Sequence, residues 1–253
     1  MRRIPILFAL LAVSVLLAAA CGARSESSSS GDAKAPKSKP EKSGGYAPKI
    51  VPSDFTTEID NEYFPLEPGT TFVYEGETED ATEGDTVRVT SDTKNVMGVE
   101  CVVVEDRVTG DGELTEKTYD WYAQDKAGNV WYFGEDSTEY ENGKVKSTEG
   151  SWEAGEDGAE PGMIMPADSK VGESYRQEYY QGEAEDMAKP LKLDGSARVP
   201  YGSFDNVLVT YEWTPLEPNI AEHKYYAPGV GNVLEVAVKG PRERLELVDV
   251  KHE

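Results

Sequence analysis

From Tyr63 to the end of the chain, apolar positions recur every second residue rather than every three or four. Thr86-Val87-Arg88-Val89-Thr90 alternates, and Val207, Val209, Tyr211 and Trp213 fall on one side of a second run. A period of two is that of a strand, whose successive side chains point to opposite faces. Runs such as Asn129-Val130-Trp131-Tyr132-Phe133 are short, β-branched or aromatic, and bounded by glycine, as strands between turns are. Asp111-Gly112 and the stretch from Asp125 to Asn129 read as hairpin corners, where Gly and Asn accept positive φ. A helix is expected only around Gly182 to Ala188, with Pro190 limiting it. The pattern predicts a mainly β fold, an antiparallel twisted or curved sheet with few short helices.

The strands come in two sets. Trp121-Tyr122-Ala123 followed by Gly128-Asn129-Val130 recurs as Tyr225-Tyr226-Ala227 followed by Gly231-Asn232-Val233. Val99 to Val104 matches Phe204 to Val209, which sets Asn206 against Cys101. Pro65 to Phe72 matches the stretch from Pro166 to Tyr175. These pairs keep their order at offsets of 103 to 105 residues, the signature of an internal duplication. The expected domain runs from 55 to 253, with meander repeats at about 61–145 and 160–240 and a closing strand at 242–251. A single meander exposes its edges, so the two copies are expected to pair, edge to edge or face to face.

The N-terminus is of another kind. Met1-Arg2-Arg3 precedes an apolar run from Ile4 to Ala20, interrupted only by Pro5 and Ser14, that ends in small residues. That is the layout of an export signal over residues 1–20. Ala18-Ala19-Ala20-Cys21-Gly22 resembles the lipobox of bacterial lipoproteins, in which cleavage leaves an N-terminal Cys that carries acyl chains such as palmitate. The resemblance implies lipidation at Cys21 and an extracytoplasmic, lipid-anchored location at the cell membrane. Residues 21–54 are expected to form the lipidated Cys and a disordered linker. The stretch from Gly22 to Lys49 is rich in Ser, Lys and Pro and lacks the apolar content needed to offset ordering. As a coil, its ~28 residues span roughly 30 Å.

Composition then narrows the partners. The chain holds 25 Lys and Arg against 48 Asp and Glu, a net charge of −23. That excess argues against nucleic acid as a partner, since phosphate contacts need clustered bases. It also repels anionic headgroups, leaving the lipid as the membrane attachment. Setting Cys21 aside, Cys101 has no partner for a disulfide, and its valine neighbours mark it as a buried strand residue.

The chemistry inventory is short. The two histidines, His223 and His252, and the absence of HExxH, paired CxxC or G-x-S-x-G leave no metal or triad motif, so no catalytic residue, metal or cofactor is assigned. Met163 and Met165 with His223 are the one conceivable soft-metal set. The acidic runs at Glu77 to Asp85 and Glu183 to Asp186 are readable as weak Ca²⁺ loops or as solvated faces. Asp120 beside Trp121, and Glu135-Asp136 after Trp131-Tyr132-Phe133, are the most site-like acids, because glycosidic chemistry pairs carboxyls across a bond. Trp121, Trp131, Trp213, Tyr211 and Tyr225, with Tyr119, alternate along their strands; together they line either a core or a ligand groove.

Three strings carry a resemblance: Asn61 to Glu75 (NEYFPLEPGTTFVYE), Asp120 to Gly134, and Tyr226 to Gly231 (YAPGVG). They resemble the corresponding stretches of a family of uncharacterised bacterial cell-envelope lipoproteins, over about residues 58–237. The resemblance implies no catalytic residue. The first and last strings are also weakly similar to curved-sheet lipoproteins of the lipoprotein-carrier (LolA-like) type, which hold apolar ligands against the sheet.

The expectation is a membrane-anchored surface lipoprotein whose non-catalytic β domain binds an envelope partner or serves a structural role, in an undetermined oligomeric state. A carrier of a hydrophobic ligand or lipid is the first alternative and an acid-based hydrolase the second. Cys21→Ser is expected to shift the protein from the membrane pellet to the soluble fraction; continued sedimentation with membranes would refute the anchor.

Overall fold

A computed structural model describes residues 45–78 and 81–253. The expected signal, Cys21 and most of the expected linker lie outside the described residues. Sixteen strands are found among those described: β1 (Phe55–Thr56), β2 (Thr70–Thr78), β3 (Thr82–Val96), β4 (Val99–Gly110), β5 (Glu113–Asp125), β6 (Val130–Glu141), β7 (Lys144–Ser147), β8 (Trp152–Glu153), β9 (Glu160–Met165), β10 (Tyr175–Arg176), β11 (Glu178–Tyr179), β12 (Met187–Val199), β13 (Gly202–Trp213), β14 (Ala221–Ala227), β15 (Gly231–Lys239) and β16 (Glu243–His252). One 3₁₀ turn, Pro52–Asp54, precedes them.

Every named pairing is antiparallel, and the hairpins follow from their turn residues. Met97-Gly98, Asp111-Gly112 and Asn142-Gly143 each place two successive residues at positive φ, the geometry that matches the twist of the flanking strands. At the β5–β6 corner the Asp125 carboxylate accepts from the Ala127 and Asn129 amides, and Gly128 supplies a φ of 88°.

The hydrogen-bonded path runs β10-β12-β13-β14-β15-β16-β2-β3-β4-β5-β6-β9-β11. β10 and β11, at its two ends, are separated in the chain only by Gln177, so the sheet curls into a nearly closed barrel. The two halves meet edge to edge. β16 pairs with β15 on one side and β2 on the other, and its Leu247 is fully buried. Strands β2 to β6 and β10 with β12 to β15 succeed one another in the same order, displaced by about the sequence repeat.

Three local readings differ from expectation. Residues 180–186 form a turn, closed by the Tyr180–Ala184 bridge and by the Glu185 carboxylate accepting from the Gly182 amide; Met187 then enters β12, so no helix starts. Asn206 is not the counterpart of buried Cys101: it is exposed, at φ 54°, where the register between β12 and β13 slips. Residues 45–54, placed by composition in the linker, pack on the barrel. Tyr46 lies edge-on to Tyr179 and donates to the Pro161 carbonyl, and Ile50 joins the core.

The closing seam leaves no room for a side chain at Gly162, where a Cβ would sit 2.1 Å from the Gln177 carbonyl oxygen. Gly162→Ala is therefore expected to part β9 from β11 and to cost about 1–3 kcal/mol, read as a lowered denaturant midpoint. An unchanged midpoint would show the seam to be slack.

Candidate functional site in the barrel lumen

The strand register sends an unusual set of side chains inward. Asp106 sits opposite Thr118 and Val87, Asp120 opposite Val104 and Glu135, and Val108 opposite Asp85 and Glu116. Across the lumen Glu212 faces Glu222 and Ala188, while Lys224 faces Thr210 and Glu235. Among the described residues twelve carboxyl side chains are buried against a single buried base, Lys224. Such an excess cannot stay charged away from water, so the groups must share protons or hydrogen bonds.

They do both. The Lys224 ammonium lies 3.3 Å from Glu222 and 3.3 Å from Glu235. Burial alone would lower its pKa, but the carboxylates of Glu222, Glu235 and Glu212 more than offset this and hold it well above the ordinary lysine value. Tyr226 and Thr210 donate to Glu212 at 2.9 and 2.7 Å, Tyr132 to Asp120 at 2.6 Å, and the Trp152 indole to Glu178 at 2.9 Å. Burial pushes the carboxyls up: Glu83, Asp85, Glu116 and Asp186 to about 7, Asp120 and Glu222 to about 8, and Glu243 to about 9. Asp106, Glu135 and Glu178 are raised well above the ordinary carboxyl range, by burial first and then by the neighbouring acids Asp85, Asp120 and Asp186 respectively.

Beside this network the lumen opens into a cavity of about 60 Å³. Its apolar wall includes Leu66, Phe72, Val87, Val104, Tyr122 and Leu245; its polar wall is Tyr74, Asp85, Lys224, Asn232 and Glu235. A second cavity of about 30 Å³, lined by Ile164, Gln177 and Asp186, shares Tyr122 and Lys224 with the first. The segment from Asn61 to Leu66 covers the first cavity. Its base is fixed by the Gln124 side chain, which accepts from the Asp60 and Asn61 amides, and by Asn61 donating to the Gly128 carbonyl. Its crest is held by the Gly229 amide donating to the Glu62 carbonyl at 2.7 Å, and Phe64 points edge-on at Tyr122. The three strings singled out in the sequence therefore meet here, contributing Phe64, Leu66 and Phe72, then Tyr122, then Tyr226 and Val230.

The aromatic residues expected to line a groove lie elsewhere. Tyr211, Trp213 and Tyr225 alternate with the lumen residues Thr210, Glu212, Lys224 and Tyr226, and so face outward. There Tyr211 packs against Trp213 and His223, with Lys189 over both aromatic rings. Trp131 donates to Asp125 and packs on Phe55. Trp121 is separate again, with the Lys94 ammonium 3.4 Å above its ring. It lines an open cleft of about 370 Å³ with Trp152, Glu135, Asp136 and Glu153, so the sequence's acid–aromatic pairs do converge. However, Trp121 and Trp152 are both buried, and Lys94 is already paired with Glu153 at 2.8 Å. Asp120 and Glu135 are cross-strand neighbours, but only Glu135 borders the cleft, while Asp120 accepts from Tyr132 inside the barrel.

Cys101 is buried and free, its thiol pushed up to about 12 by burial, which leaves it unreactive. Met163 and His223 sit on strands that do not pair, and among the described residues no set of three or more His, Cys, Asp or Glu is arranged to hold a metal ion. Of the two acidic runs, Glu79 and Asp80 lie outside the described residues, and Asp186 points into the barrel.

No protein-family profile and no curated protein matches the chain. Among solved structures, a candidate lipoprotein from Parabacteroides distasonis is similar, at 14% identity and a TM-score of 0.42, over 75% of this chain and 98% of that one.

The raised carboxyls set the pH dependence of stability. A group whose folded pKa exceeds its unfolded value of about 4 holds extra protons in the folded state. Its contribution is complete below that unfolded value and is lost as pH rises through the folded one. Thermal unfolding midpoints are therefore expected to be highest at about pH 4 and to fall steadily toward pH 9, through the values of about 7 to 9 held by Glu83, Asp120 and Glu243. A midpoint that climbs between pH 5 and 9 would contradict a neutral lumen.

Proposed function

We propose that this chain is an exported, lipid-anchored and non-catalytic binding protein whose barrel holds a small ligand in its lumen. The observation that carries this reading is the cavity under the Asn61–Leu66 segment, apolar on one wall and polar on the other. An empty apolar void leaves its lining atoms without contacts. A wall that also presents Asp85, Lys224 and Glu235 fixes the orientation of whatever fills it, which is how ligand pockets combine affinity with specificity. The covering segment supports the same reading. It is held at its crest by the Gly229–Glu62 hydrogen bond, by the Tyr63 hydroxyl donating to the Asn206 carbonyl and by ring packing, so it can lift without breaking the strand pairings. The likeness of Ala18 to Gly22 to a lipobox supports the anchor, and the expected tether leaves the barrel free of the headgroups.

This reading favours the carrier alternative over a purely structural domain, and moves the ligand from an outer aromatic groove to the interior. Native mass spectrometry of the full-length protein, purified from its host's membranes, is expected to show a small-molecule adduct that Val87→Phe removes. A wild-type protein with no adduct and no saturable ligand uptake would end the proposal.

A further inference from the structure

We infer that the ligand of the lumen is a small protonated amine with an apolar body, its ammonium received by Asp85 and Asn232. This rests on the lumen-binding reading above and assigns the ligand's head group.

The argument begins with the polar wall of the cavity. The Tyr74 hydroxyl is engaged, donating to the Asn232 carbonyl at 3.0 Å. Lys224 is engaged with Glu222 and Glu235, and the Asn232 amide nitrogen donates to Glu235. Two side-chain atoms on this wall have no hydrogen-bond partner among the described residues: Asp85 Oδ1 and Asn232 Oδ1. The amide oxygen is an acceptor, and the Asp85 oxygen becomes one when that carboxyl gives up its proton. Tyr74 links the two positions, as the cross-strand neighbour of Asp85 and the donor to the Asn232 backbone. Asp85 is only 6% exposed, so bulk water does not serve it. An occupant that donates satisfies Asn232, and one that also carries positive charge can take the place of the Asp85 proton.

Charge selects among donors. The groups facing Asp85 are Glu83, Asp106, Glu235 and Lys224, and the lysine is already shared by Glu222 and Glu235. Protons already neutralise the raised acids, so a cation enters by displacing the Asp85 proton, which a neutral donor cannot do, while an anion finds Lys224 already paired. A bare metal ion is disfavoured, since no three acidic, His or Cys side chains among the described residues converge on one point. Phe72, Val87, Val104 and Leu245 on the facing wall offer nothing to a fully hydrated ion or a water cluster. A short alkyl body fits that wall, and an ammonium with up to three donors fits the other.

The test compares three heads on one tail. Full-length protein in lipid nanodiscs is titrated calorimetrically with n-propylamine, n-propanol and propionate, whose few heavy atoms suit the cavity, with empty nanodiscs as the blank. Propylamine is expected to bind at least tenfold more tightly than propanol, and propionate not to bind. Asp85→Asn, which keeps the shape and removes the charge, is expected to abolish the preference for the amine over the alcohol. Because Asp85 must give up its proton to receive an ammonium, propylamine binding to the wild type is also expected to release protons, seen by repeating the titration in buffers of different ionisation enthalpy. That readout holds even if the variant does not fold. Propanol binding as tightly as propylamine, or amine binding without proton release, would overturn the head-group assignment and leave lumen binding standing. No saturable binding by any of the three would overturn the lumen-binding reading itself.

Discussion

A sheet that closes on itself has an interior that water does not reach freely, so every inward side chain must find its partner among the others. Among the described residues twelve of the buried inward or rim positions are carboxyls, and one lysine answers them. The rest of the structure depends on that imbalance. Lys224 sits where β13, β14 and β15 bring Thr210, Glu222 and Glu235 together, and phenolic and indole donors from Tyr132, Tyr226 and Trp152 take up further oxygens. The remaining acids are kept neutral by burial, which raises their pKa values into and above the neutral range. A hydrophobic filling of the same volume would pack at least as well.

The division of the lumen is spatial. One end is apolar, built from Phe72, Val104, Tyr122 and Leu245, and roofed by Phe64 and Leu66 from the segment before β2. The other holds the acid network. Along single strands the change occurs within two residues: Val89 and Val87 give way to Asp85 and Glu83 on β3, and Tyr226 to Lys224 and Glu222 on β14. The cavity lies at this border, so its lining carries both chemistries. The roof is pinned through Gln124 and Gly128 on one side of the barrel and the β14–β15 turn on the other, which ties the two halves together above the cavity.

The two halves share a strand order but not a lining. In the first half the inward acids stand next to one another across β3, β4, β5 and β6 without a base. The second half contributes the lysine, the threonine that donates to Glu212, and the strand β16 that completes the join. Edge-to-edge pairing of the halves, followed by closure at Gln177, removes the exposed edges that either half alone would present.

Much of this was legible in the chain alone. The period of two, the Asp-Gly corner and the duplicated strings fixed the elements and their antiparallel pairing, because turn chemistry and side-chain alternation are local properties. The strings Asn61–Glu75 and Tyr226–Gly231 stood out in the sequence only by resemblance, and the structure brings them together around the cavity. Which face of each strand lies inside was not legible. Trp121, Trp213, Tyr211 and Tyr225 are the more apolar-looking set, yet Tyr122, Glu212, Lys224 and Tyr226 point inward. The signal present in the sequence was register: Glu83 and Asp85 continue the alternation of Val87 and Val89, and Asp106 falls between Val104 and Val108. A sequence carries that alternation but not its sign. An acid belongs inside only when distant strands bring it a donor or another acid to share a proton with, and that pairing exists only once the barrel has closed.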